Sequence, residues 1–141
     1  MRATLLLCDY AVVENGKLYV SGGGWSYTGP APTAMALAVL IHVPWDRANA
    51  PITFELALST EDGHPVVQRG PTGDEQPVSL EGTLEVGRPP GTTRGTELNA
   101  PLAVNIGPMP LVPGARYVWR LHLDGETHDD WVLPFQVRPT G

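Results

Sequence analysis

The chain has 141 residues and a formal net charge of −6, a size that suits one domain with its own core. Gly (16) and Pro (15) occur at about twice their usual share, which excludes a long helical bundle or a coiled coil, while 42% hydrophobic residues exclude a disordered chain. Fifteen acids against nine bases, with no Lys/Arg cluster, argue against a phosphate backbone or an anionic membrane surface as partner.

Taken in chain order, the pattern is one of strands. Thr4–Val13 is apolar on both faces, and the expected first strand covers about 2–13. Glu14-Asn15-Gly16 is a hairpin signal, because Asn-Gly accepts positive φ, and a second strand over 17–22 follows it. Met35–Val43 is again apolar on both faces. Helix is the alternative there, but the bulk sits at odd positions (Met35, Leu37, Val39, Ile41, Val43) with Ala36 and Ala38 between, which favours a strand. Further strands are expected over 51–60, 65–69, 77–87, 102–106, 115–123 and 131–137. Period-two alternation is clearest at Ile52–Leu58, Val78–Val86, Tyr117–Leu123 and Trp131–Val137. Glu61-Asp62-Gly63 and Asp124-Gly125-Glu126 are turn sites. Three long connections, 23–34, 61–76 and 88–101, are rich in Gly, Pro and Thr, and strand patterns resume after each. The expectation is an all-β fold: one antiparallel β-sandwich domain over 1–141, with eight or nine strands.

Leu111-Val112-Pro113-Gly114-Ala115-Arg116-Tyr117 resembles the tyrosine corner of fibronectin type III and related Ig-like Greek-key sandwiches. There a tyrosine hydroxyl bonds back to the backbone a few residues upstream and fixes the chain as it crosses between sheets. The resemblance implies structural roles for Leu111, Pro113, Gly114 and Tyr117, and no activity. A second resemblance rests on Cys8-Asp9-Tyr10-Ala11, Gly16-Lys17-Leu18, Ser21-Gly22-Gly23-Gly24-Trp25 and Val43-Pro44-Trp45-Asp46-Arg47. These strings are similar to a family of small uncharacterised bacterial proteins, a domain of unknown function, and that resemblance implies no catalytic residues.

Several constellations invite chemistry. Asp124, Glu126, His128, Asp129 and Asp130 are the densest group of metal-ligand types, yet their spacing is not that of an EF-hand, and a solvated hairpin loop accounts for them as well. Gly22-Gly23-Gly24 lacks the Lys-Ser/Thr of a phosphate loop and reads as relief at a strand end. Cys8 lies in an apolar strand and reads as a small hydrophobe. Leu5–Cys8 faintly imitates a lipoprotein box, but the apolar run is too short, and a cytoplasmic location is expected. In an Ig-like strand order, connections 44–50, 88–101 and 124–130 share one pole, which would gather Trp45, Asp46, Arg47, Arg94, Glu97, Asn99, Glu126, His128 and Asp130 as a recognition surface.

The expected function is a non-enzymatic interaction or assembly module, with a protein or a second copy as partner and no cofactor. Both-face hydrophobicity motivates a homo-oligomer in which Ala36, Ala38, Leu40 and His42 are part of the covered second face. The alternatives are a closed β-barrel holding a small apolar ligand, and a metal-dependent enzyme using the 124–130 acids with His42, His64 or His122.

Overall fold

A computed structural model describes residues 1–140. The described residues form twelve strands and one 3₁₀ turn, with no α-helix. The strands are β1 (Arg2–Cys8), β2 (Tyr10–Glu14), β3 (Lys17–Ser21), β4 (Tyr27–Thr28), β5 (Met35–Val43) and β6 (Ile52–Thr60), then β7 (Val67–Arg69), β8 (Glu75–Pro77), β9 (Ser79–Leu84), β10 (Leu98–Ile106), β11 (Arg116–Leu123) and β12 (Val132–Val137). The 3₁₀ turn is Trp45–Arg47. Four open sheets result, ordered β1-β5-β10, β4-β12-β11-β6-β9, β2-β3 and β7-β8. The all-β expectation holds and the sheets are largely antiparallel, with β4 the exception, parallel to β12. The count of eight or nine does not hold: the first expected strand breaks at Asp9 into β1 and β2, and β4 and β8 are short additions. No sheet among the described residues closes, so these strands form no barrel lumen.

The chain divides into two compact units. One holds Met1–Trp25, Ala34–Ile52 and Thr83–Pro108; the other holds Ser26–Thr33, Thr53–Gly82 and Met109–Gly141.

In the first unit, β5 is the central strand, antiparallel to both neighbours. Its odd positions are fully or almost fully buried, from Met35 to Val43, and so are Ala36 and Ala38 on the opposite face. Sequence reasoning assigned the cover of that second face to another copy. The chain supplies it at Ala36 and Ala38. At Asp9 the chain leaves β1, and the β2–β3 hairpin lies over the sheet, where Cys8, Ala11, Ala36 and Ala38 form one buried cluster with Leu18 and Ala103 packed on it. Leu40 and His42, nearer the other end of β5, remain half-buried.

Two devices seat the hairpin. Asn105, on β10, donates through Nδ2 to the Ala11 carbonyl at 2.7 Å and accepts from the Ala11 N–H at 3.2 Å through Oδ1. One side chain thus acts as a strand partner for a fully buried residue, leaving neither backbone group orphaned. At the return, Gly22 has φ +61 and Gly23 approaches Leu6 and Val20 so closely that a Cβ would lie 2.8–2.9 Å from their side chains. The hairpin turn is Asn15-Gly16, with φ of 52° and 72°, the two positive values of a type I′ turn.

In the second unit, β11 pairs with β12 on one side and β6 on the other. Tyr117, Trp119, Leu121 and Leu123 bury one face with Leu56, Leu58, Phe135 and Val137. The intervening Val118, Arg120 and His122 share the opposite face with Ala57 and Glu55, as the alternation predicts. The tyrosine-corner contact is made: the Val112 N–H donates to the Tyr117 hydroxyl at 2.9 Å, with Gly114 at φ 88° supplying the bend. Tyr117 stacks on Phe135 with ring centroids 5.7 Å apart.

The Asn105 clamp predicts a localised failure. Asn105→Ala leaves the buried Ala11 N–H and C=O without their partner and is expected to destabilise the fold by about 1–3 kcal/mol. Hydrogen exchange should rise first in residues 10–21. Equal protection of those amides in the variant would refute the clamp.

Candidate functional site

The outer face of the three-stranded sheet changes character along its length. At one end lies the alanine cluster; at the other, register sets Arg2, His42 and Asn99 side by side, with Thr4 one step inward on β1. The His42 Nδ1 is 2.9 Å from Asn99 Oδ1 and its Nε2 is 3.1 Å from Thr4 Oγ1. An amide oxygen only accepts, so Nδ1 carries a proton and donates to Asn99, while Nε2 faces the Thr4 hydroxyl. Glu97 Oε1 lies 3.8 Å from the same Nδ1 and pairs with Arg2. The ring is thereby fixed in orientation. It also holds the Asn99 amide with Oδ1 turned to His42 and the two N–H groups of Nδ2 unspent.

Asn99 also lines an open cleft of about 490 Å³ beside β10. Its apolar walls come from the hairpin (Val13), the end of β9 (Leu84) and the segment after it (Val86, Pro89), and β10 itself (Ala100, Pro101). Arg88 and Glu85 complete the polar lining. The Arg88 guanidinium is held firmly: Nε and Nη2 both donate to the Trp45 carbonyl, at 3.2 and 2.7 Å, and the group stacks 4.6 Å above the indole centroid. A smaller hollow of about 320 Å³ lies in the second unit, over Ala57 and Ser59 and beside Arg120 and His122. His122 Nδ1 is 3.5 Å from Glu55 there.

The residues expected at a recognition pole fall into separate settings. Glu97 and Asn99 come together around His42. Trp45 finds its cation in Arg88 rather than in the adjacent Arg47, while Asp46 and Arg47 are exposed on the 3₁₀ turn and Arg94 is exposed on the Arg94-Gly95 turn. His42, Thr4, Arg2 and Arg88 are missing from that expectation, since only strand order joins them. The alternation of Arg2 and Thr4 with apolar residues marks them as sharing a face, but not their partner.

The acidic loop does not converge. Among the described residues no group of three or more His, Cys, Asp or Glu side chains has the geometry to hold a metal ion. Asp124 instead caps a turn: its Oδ1 accepts from the Thr53 N–H at 2.9 Å and the Thr53 hydroxyl at 3.1 Å. Asp124 and Gly125 both have positive φ, which makes a second type I′ turn. His128 meets the Trp131 ring edge-on at 4.3 Å, and Glu126, Asp129 and Asp130 are exposed. Cys8 is fully buried, and its thiol points at the Ala36 carbonyl. Burial, with the nearby Asp9 charge adding to it, pushes the thiol pKa up, so it stays protonated and unreactive.

The cap and a metal ligand respond differently to one change. Asp124→Asn keeps the accepting oxygen and tolerates positive φ, so it is expected to cost under about 0.5 kcal/mol in urea unfolding, whereas Asp124→Ala costs about 1–2 kcal/mol. Equal losses in both variants would refute the cap.

Among the described residues no helix is long and apolar enough to cross a membrane. No curated protein and no solved structure matches the chain. A family model, described as a family of unknown function (DUF6941), matches residues 3–138. With nearly the whole chain covered, it belongs to this family of unknown function.

Proposed function

We propose that the chain is a non-enzymatic assembly module that pairs with a second copy through the free edge of β3. The observation that carries this reading is the distribution of exposed apolar bulk. Leu6, Tyr10, Val13, Tyr19 and Val20 are five of the eight exposed large hydrophobic side chains among the described residues, and all lie between β1 and β3. Clustered exposure of this kind marks contact surfaces more often than scattered exposure does. Register puts Tyr10, Val12 and Tyr19 on the hairpin face opposite Ala11.

The edge itself suits self-pairing. β2 has one edge on β3 and its other taken at Ala11 by Asn105, whereas β3 is unpaired on its far side. An open edge is a template for strand addition. Antiparallel pairing of β3 with its copy about a twofold axis at Tyr19 sets Lys17 against Ser21 and Leu18 against Val20. No like charges meet, and the tyrosines face each other at the axis. The single buried thiol fits a reducing, cytoplasmic setting. The tyrosine corner supports kinship with Ig-like Greek-key sandwiches, a kinship of architecture without implied activity.

Light scattering at tens of micromolar is expected to give twice the chain mass. Tyr19→Lys places two ammonium groups at the axis and is expected to give a folded monomer whose melting temperature no longer depends on concentration. A wild-type monomer at that concentration, or a dimer that survives Tyr19→Lys, would overturn the proposal.

A further inference from the structure

We propose that the cleft beside β10 binds a small monocarboxylate with an apolar body, the carboxylate taken by Arg88 and Asn99. Its volume of about 490 Å³ falls in the range of small-molecule sites, which are mostly apolar with a few convergent polar groups. Val13, Leu84, Val86, Pro89, Ala100 and Pro101 present a wall with little hydrogen-bonding demand, since neither proline has an N–H. Val13 is 38% exposed, an apolar area that a bound hydrocarbon would cover.

The polar groups set the sign of the ligand. In a chain of net charge −6, Arg88 is a cation with no carboxylate partner among the described residues. Two hydrogen bonds and the indole stack fix its plane, and Nη1 is left to donate. Asn99 is oriented by His42, which Thr4 and Glu97 adjoin in turn, and it lines the same cleft as Arg88, so its amide is ordered before a ligand arrives. A preorganised guanidinium with an amide donor suits a carboxylate. Glu85 is the one carboxylate in the lining, and it is solvent-exposed. Its charge opposes any anion and opposes a second anionic group more, which selects a monoacid over a diacid.

Calorimetric titration of the full chain with octanoate, octanol, octylamine and suberate tests this. Octanoate is expected to bind at least tenfold more tightly than the other three. Arg88→Met should abolish the preference for octanoate over octanol. Val13→Glu, at an exposed wall position, should weaken octanoate at least tenfold while leaving the melting temperature unchanged. No detectable octanoate binding, octanol or octylamine binding as tightly as octanoate, or a preference that persists in Arg88→Met would each overturn the assignment. The β3 pairing shares Val13 with this cleft, but its axis residue Tyr19 does not line it, so Tyr19→Lys tests the pairing separately.

Discussion

The first unit depends on a seam with almost no side chains in it. Ala11, Ala36 and Ala38 are buried against one another with Cys8, and Ala103 adjoins them. At its centre only methyl groups and a thiol separate hairpin from sheet, with Leu18 packed at the border. Ordinary face-to-face packing holds layers about 10 Å apart, and small residues permit closer approach. That approach brings the Ala11 backbone within reach of the Asn105 amide, a contact that a leucine at any of these positions would remove. The seam explains why a strand that looks covered on both faces needs no second copy to cover Ala36 and Ala38.

From that seat, the rest of the outer face follows. The hairpin reaches far enough to contribute Val13 and Gly16 to the wall of the cleft, and it stops short of His42. Beyond it, the sheet switches from methyl groups to a line of hydrogen bonds running Thr4, His42, Asn99 across three strands. One face thus carries a dry seam and a polar relay, and the cleft adjoins the polar end. β3, held by β2 alone, keeps its far edge open for the same reason: the clamp engages β2, not β3.

Local features were legible in the sequence. The bounds of β5, the Asn15-Gly16 and Asp124-Gly125 turns and the hydroxyl contact of Tyr117 follow from periodicity, from the demand for positive φ and from a short motif, all of which act within a few residues. The break at Asp9 was not legible, because an apolar run gives no sign that one half of it will fold back over the other. Nor were the site contacts. Trp45 and Arg88 are 43 positions apart, and Thr4, His42 and Asn99 meet only because β1 and β10 both pair with β5. The Asp124 turn was legible, but the partner of its carboxylate was not, for a related reason. The same oxygen that can ligate a metal can cap a turn, and the Thr53 that it caps lies 71 positions away.

The two units are built from six alternating segments, so the backbone passes from one to the other five times. No single cleavage point releases either unit as a continuous polypeptide. Expression of an N-terminal or C-terminal half would leave β5 or β11 without strands contributed by the missing half, and their apolar faces would be exposed. Exchange of modules between homologues cannot run along a unit boundary either. Change in such a chain proceeds by substitution and by loop variation at turns such as Asn15-Gly16 and Asp124-Gly125, where the strands on both sides remain in place.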